Sequence, residues 1–213
     1  EVIADAEMTT SSAVGYFVSI AVDQHNQPSF AYYDDDARRP VLATRHDGGQ
    51  VTHQALTDSV PSGWYTSLGI DDEAVVHASF CDGCTGLSPA SLHYTQPGTG
   101  VDEIVATNVA ESVMSLRSSD ATPCVAFQQY DALNVACRGD LEWVQQEVAL
   151  VQAEDIALAF GRYGQPVVVW RDGNSLWLSV YEDGMWDLRH VADDGHRPAL
   201  HIDGHNQVHL TWQ

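Results

Sequence analysis

VSIAVDQHNQPSFAYYD, residues 18 to 34, carries the pattern on which the fold turns: a short alternating run, a polar turn, and a second alternating run that ends in aromatics. Alternation with a period of two marks a strand whose two faces meet different surroundings, so the stretch reads as a β-hairpin. The same grammar recurs in TSLGIDDEAVVHASFCD (66–82), MSLRSSDATPCVAFQQYD (114–131), IALAFGRYGQPVVVWRD (156–172) and PALHIDGHNQVHLTWQ (198–213). Anchored on the first strand, Ser19, Ser67, Ser115, Ala157 and Ala199 are separated by 48, 48, 42 and 42 residues. In the second strand an aromatic returns at Tyr32, Phe80, Phe127, Trp170 and Trp212.

Two further strand-like pieces follow each of the first four hairpins. VLATRHDGG, SLHYTQ, LNVACRG and LWLSVYEDG supply a third strand, and VTHQALTD, EIVATNVAE, WVQQEVAL and WDLRHVADD a fourth. Four short strands per unit of 42 to 48 residues is the blade of a β-propeller, and no helix start signal opens a 3.6-residue period. The expected fold is therefore all-β, a five-bladed β-propeller of four-stranded antiparallel blades, with residues 1–213 as one domain. The N-terminal EVIADAE resembles the fourth-strand ends RHVADDG and HQALTDS, while the fifth unit stops after its second strand at Gln213. Residues 1 to 7 are thus expected to close the ring by pairing within the blade of residues 198 to 213, which removes open edges. With no third strand after Trp212, that blade has three strands or the native chain continues.

The units resemble a secreted bacterial propeller repeat with an S-I-A-x-D, P-H-I-A-Y-Y-D, L-x-Y-A signature. Ser19-Ile20-Ala21-Val22-Asp23, Pro28-Ser29-Phe30-Ala31-Tyr32-Tyr33-Asp34 and Leu92-His93-Tyr94-Thr95 carry the likeness, which extends over nearly the whole chain. What the resemblance implies is a scaffold shared by lectins, adhesion modules and enzyme domains, and so no particular chemistry.

Thirty Asp and Glu against nine cations give a net charge of −21, and all nine cations are Arg. A phosphate backbone would be repelled, so nucleic acid is excluded as a partner. No apolar run reaches the roughly 18 residues of a membrane span, so no membrane insertion is expected. The acidity fits a soluble surface, a saline habitat or, less simply, a divalent cation; no other cofactor is implied. The chain opens at Glu1 without a Met or a basic-then-apolar leader, and reads as a mature or excised domain. Its four cysteines form two close pairs, Cys81 with Cys84 and Cys124 with Cys137, expected as disulfides of a secreted, extracellular or periplasmic protein. A two-residue turn at Tyr130 and Asp131 would set Cys124 opposite Cys137. The C-x-x-C spacing of Cys81 and Cys84 also suits a zinc knuckle or redox pair, but there is no second C-x-x-C and no βαβ setting.

Packed blades require small residues on one face of the first strand to meet large ones of the next. Ile20, Val22, Leu68, Ile70, Leu116, Leu158, Phe160, Leu200 and Ile202 form the large face; Arg117 and His201 interrupt the small one. An unpaired charge in a seam costs several kcal/mol, so these two, with Arg171, are the candidate ligand-binding residues, at one mouth of the channel. The competing reading is that Arg117 pairs with an acid and only holds blades together. Histidine gathers at residues 190, 196, 201, 205 and 209; His201 and His209, symmetric about a turn, could share a metal with Asp203, although the repeat itself places His at 77 and 209. Asp34-Asp35-Asp36 followed by Arg38 and Arg39 reads as a solvated loop. No nucleophile elbow, zinc-protease, nucleotide-loop or dinucleotide motif occurs. The reading that fits best is a non-catalytic module recognising a glycan or a surface protein. The alternatives are a structural or adhesive domain of a larger extracellular protein and a propeller hydrolase or lyase.

Overall fold

The structure is a computed structural model that describes residues 14–58, 62–84 and 90–213. The closure expected of residues 1 to 7 lies outside the described residues. Among the described residues the regular secondary structure is all strand apart from one three-residue 3₁₀ turn, Asp47–Gly49. By its contacts it divides into two compact units, Glu1–Ala106 and Thr107–Gln213.

The first unit holds two sheets. One is formed by β1 (Val14–Val22), β2 (Pro28–Asp34), β3 (Arg39–Arg45) and β4 (Val51–Ala55), the other by β5 (Ser62–Ile70), β6 (Val76–Asp82), β7 (Ser91–Gln96) and β8 (Val101–Thr107), each in simple sequence order. They pack through one face. Ala31 and Leu42 of the first sheet meet Leu68, Ala78 and Phe80 of the second, and the Ser19 hydroxyl accepts a 3.0 Å hydrogen bond from the Leu68 N–H. Small residues at Ser19 and Ala31 permit that approach. On the other face of the first sheet, Tyr32, Val41 and Ala43 pack together, while Ile20 and Val22 of β1 are 57% and 51% exposed. The expectation that both lie on a buried face fails because, within the first unit, the first sheet has a sheet packed on one side only.

The second unit holds three sheets: β9 (Val109–Leu116), β10 (Pro123–Gln129), β11 (Ala132–Arg138) and β12 (Trp143–Leu150); β13 (Ala153–Phe160), β14 (Pro166–Asp172), β15 (Ser175–Glu182) and β16 (Met185–Ala192); and the pair β17 (Ala199–Ile202) and β18 (Val208–Thr211). Its core seam sets Ala126, Leu133 and Val135 against Ile156, Leu158, Val168 and Trp170. Four four-stranded sheets and one two-stranded sheet thus realise the five units read from the sequence. The second-strand aromatics Tyr32, Phe80, Phe127 and Trp170 are all buried, and Trp212, just past the end of β18, is exposed.

The register corrects the repeat in one place. The inner hairpins close on Val22–Pro28, Ile70–Val76, Leu116–Pro123, Phe160–Pro166 and Ile202–Val208, so the third-sheet equivalent of Ser19 is Val113, not Ser115. The third turn has one residue more than the others, and a serine two positions on imitates the anchor. Arg117 therefore belongs to the turn after β9 rather than to the strand. In three turns an aspartate organises the backbone: Oδ1 of Asp23, Asp71 and Asp203 each accepts two N–H bonds, at 2.8 to 2.9 Å, from residues two and four further on.

Both disulfides are present. Cys124 lies directly opposite Cys137 with Cα atoms 4.0 Å apart, and Gln129 pairs Ala132 across the two-residue turn. Cys81 is bonded to Cys84, Cα atoms 5.8 Å apart, where the chain leaves β6. Among the described residues no helix is long and apolar enough to cross a membrane.

Candidate functional site

A feature of the first strands that the alternation does not reveal builds the site. Tyr16 pairs Tyr33 and Ser19 pairs Ala31, so three steps along β1 match two along β2. The same extra residue separates Trp64–Cys81 from Ser67–Ser79 and Glu154–Arg171 from Ala157–Val169. In the fifth sheet His196 and Gln213 exchange two backbone bonds of 2.9 Å ahead of the Ala199–Thr211 pair, which repeats the pattern. Each bulge holds a non-glycine residue in the left-handed region: Phe17 at φ 52°, Tyr65 at 53°, Asp155 at 52° and Arg197 at 49°. Such a conformation costs about 1–2 kcal/mol per residue, and bulges of this kind re-aim side chains at the ends of strands. In the third sheet Glu111 stands at the equivalent place but pairs Gln128 in regular register; its extra residue falls one step earlier, between Val109 and Glu111.

In the first unit the two bulge residues are aromatic, and they meet more aromatics. The Phe17 ring centroid is 5.2 Å from Trp64 and 4.9 Å from Tyr65, and Tyr33 is 6.0 Å from Trp64, all tilted between 41° and 50°. Phe17, Trp64 and Tyr65 are half-buried and Tyr33 is buried, which leaves ring surface accessible at this end. Gly63 fixes the platform. At φ +112° it lies so close to β3 that a Cβ there would be 2.5 Å from Pro40 Cδ, and the Thr66 hydroxyl donates to its carbonyl at 2.8 Å. Burial raises the pKa of the Tyr33 phenol; Asp35 raises it further, and Arg38, hydrogen-bonded to it, acts the other way.

In the second unit the equivalent positions are charged. Arg171 donates through Nε to Asp155 at 2.9 Å, through one terminal nitrogen to Glu154, and through the other to the Gly173 carbonyl at 2.6 Å. The Arg197 N–H donates to the same Asp155 oxygen at 3.3 Å. Burial alone would raise Asp155, but Arg171 and the Arg197 amide carry it below the usual carboxylate range. Glu111 Oε1 accepts from the Ile156 N–H at 3.0 Å, and burial raises its pKa against that bond, with the Asp155 and Glu154 charges adding to the rise. Two carboxylates side by side are therefore shifted in opposite directions.

The residues singled out from the sequence do not come together. Arg171 is at the bulge end. Arg117 is at the other end of its sheet, gripping Asp120 through two bonds of 2.9 and 2.7 Å and Thr122 through a third of 2.9 Å, and it holds the Asp120 pKa down to about 2. Its stem packs where a side chain at Gly164 would stand. His201 lies exposed in the middle of β17 opposite His209, ring centroids 6.3 Å apart. His209 Nε2 is 3.0 Å from Asp203 Oδ2, the same Asp–His contact that buried His77 makes with Asp71 at 3.2 Å while its other nitrogen meets the Tyr94 hydroxyl at 2.7 Å. Among the described residues no three His, Cys, Asp or Glu side chains are grouped to hold a metal ion. Phe17, Trp64, Tyr65, Glu111 and Asp155 were missed. The readable signal was a pair of like residues three and two places before the anchor: Tyr16-Phe17, Trp64-Tyr65 and Glu154-Asp155.

No protein-family model and no curated protein matches the chain. Solved structures do. The chain is similar to the xylan β-1,4-xylosidase of Bacillus halodurans C-125 (TM-score 0.56, 9% identity, covering 93% of this chain and 48% of that one) and to TolB of Acinetobacter baumannii (0.59, 17%, 92% and 46%). It is also similar to the SapL1 lectin solved with α-methyl fucoside (0.59, 9%, 89% and 67%). The chain spans about half the length of the first two. These likenesses establish the β-propeller fold, with the sheets as its blades.

Proposed function

We propose that this protein is a non-catalytic, glycan-binding five-bladed propeller that receives a sugar ring on the aromatic platform of Phe17, Trp64 and Tyr65. One observation carries the reading. Four sheets adopt the same left-handed bulge whether it bears Phe, Tyr, Asp or Arg, so the fold demands the backbone and leaves the side chain to function. In the first unit both bulges are aromatic and add two more rings around them. Pyranose faces present C–H groups that stack on such surfaces, while hydroxyls at the rim reach the phenols. The lectin solved with a methyl fucoside and the xylosidase are propellers that meet carbohydrate, which supports the reading by analogy. The two disulfides favour an extracellular or periplasmic setting.

A glycan array on the intact protein, followed by titration of the strongest sugar against the intrinsic Trp fluorescence, tests it. Trp64→Ala should weaken binding by about tenfold or more, the range of one stacked aromatic, while Arg117→Ala leaves it unchanged. An array without signal, or binding indifferent to Trp64, would refute the platform. A hydrolytic second reading rests on the opposite shifts of Glu111 and Asp155, the arrangement that separates a proton donor from an ionised partner. Cleavage of the bound glycan, abolished by Glu111→Gln, would favour it.

A further inference from the structure

We infer that the ligand of the aromatic platform carries a positive charge: a glycan whose pyranose rings bear free amino groups. The inference rests on the glycan-binding reading above and gives it a chemical class. Four observations converge. The platform consists of four rings, Phe17, Tyr33, Trp64 and Tyr65, with neighbouring centroids 4.9 to 6.0 Å apart and planes tilted by 41° to 50°. Aromatic faces carry negative charge density, which attracts an ammonium group more strongly than a neutral hydroxyl. The turn from β2 to β3 sets Asp34, Asp35 and Asp36 beside Tyr33, against Arg38 and Arg39. Asp34 is fixed there by the N–H groups of Asp36 and Ala37 at 3.0 and 2.9 Å, and Asp35 and Asp36 are exposed. Two of these carboxylates, Asp35 and Asp34, act on the Tyr33 hydroxyl against Arg38, so acidic charge stands at the platform rim.

The fourth observation concerns the cations. Of nine Arg, Arg38 is engaged by Tyr33, Arg117 by Asp120, Arg171 by Glu154 and Asp155, and Arg189 by Asp187. The chain has no lysine, and its net charge is −21. A carboxylated or sulfated glycan would approach against that field. An amino glycan would be steered in by it and then held on the rings.

The probes are a glucosamine tetramer and its fully N-acetylated counterpart, which differ in charge and share a backbone. Both are titrated by calorimetry against the intact protein in mildly acidic buffer at physiological and high salt. The amino tetramer should bind about tenfold tighter than the acetylated one at physiological salt, and part of that advantage should survive at high salt, because contacts with aromatic faces are screened less than long-range attraction. Asp35→Asn should shrink the advantage without touching the acetylated affinity, and Trp64→Ala should weaken both. Acetylated binding equal to or tighter than amino binding overturns the inference and leaves the glycan-binding site standing. Amino binding that persists in Trp64→Ala overturns it as well, since the attraction is then only that of a polyanion. If neither tetramer binds and the array is blank, the glycan-binding reading itself falls.

Discussion

Replacing Gly63 with Ala tests how the platform is held. At φ +112° the residue is in a region that a side chain penalises, and the added methyl would stand 2.5 Å from Pro40 Cδ, 2.6 Å from its nitrogen and 2.7 Å from its Cβ. The listener on the other side is a proline ring fixed in β3, so neither partner gives way cheaply. Backbone strain contributes about 1–2 kcal/mol and the forced displacement about 1–3 kcal/mol. The total, about 2–5 kcal/mol, corresponds to a fall in Tm of roughly 5–15 °C in a chain of this length. Gly98→Ala is the control. Gly98 also has a positive φ, +86°, yet nothing lies within 4 Å of its Cβ direction, so it should cost only the backbone penalty of about 1 kcal/mol. Scanning calorimetry on both variants separates contact from conformation. Because residue 63 precedes Trp64, Gly63→Ala should also weaken platform binding where Gly98→Ala does not. If the two variants melt within about 2 °C of each other, the close approach to Pro40 is not what positions Trp64.

Replacing Cys124 and Cys137 together with Ser should cost roughly 3 kcal/mol, the chain-entropy value for so short a loop, read as a lower Tm in scanning calorimetry without reductant. Glu111→Gln should stabilise the protein at neutral pH and not in acid. A carboxyl whose pKa is raised on folding favours the protonated state, so its cost is absent below the unfolded value near 4.5, grows as pH rises toward the folded value, and is constant above it. Urea titrations that show the same gain at acid and neutral pH would contradict the burial of Glu111. Arg117→Ala should cost no more than about 1 kcal/mol, because the pair it breaks is largely open to water. Asp120 is depressed to about 2, so the contribution of the pair is complete above the unfolded value of 3.8 and disappears as pH falls through 2.

The fold was legible because a hairpin with two packed faces leaves its period in the sequence, and five copies multiply the signal. Pro28, Pro123 and Pro166 open the second strands, and the buried aromatics Tyr32, Phe80, Phe127 and Trp170 follow four positions later in each case where the strand is read from its pair with the first. The first strands were less legible. Ser115 imitates an anchor that register gives to Val113, because a sixth turn residue displaces the third hairpin and residue type alone does not report register. That error moved Arg117 from a turn, where an aspartate three residues away neutralises it, into a seam where it seemed to need a ligand. The Cys124–Cys137 disulfide was readable for the opposite reason: a two-residue turn leaves a single register, and register decides which residues face each other.

The bulges escaped because the usual sign of a left-handed position, glycine, is missing from all four. Phe17, Tyr65, Asp155 and Arg197 have no residue type in common, only a place two positions before Ser19, Ser67, Ala157 and Ala199. A conformation shared by side chains so different cannot be a preference of any of them. It is imposed by the extra residue that ends each first strand, and the strain is borne by the surrounding ladder. A repeat protein thereby contains its own control: what is common to equivalent positions belongs to the scaffold, and what differs is open to selection by a ligand. By that criterion Asp71 with His77 and Asp203 with His209 are scaffold, since the same contact occurs buried in one sheet and exposed in another. The bulge side chains are aromatic in the first unit and charged in the second, so they are where a partner of this fold would be specified.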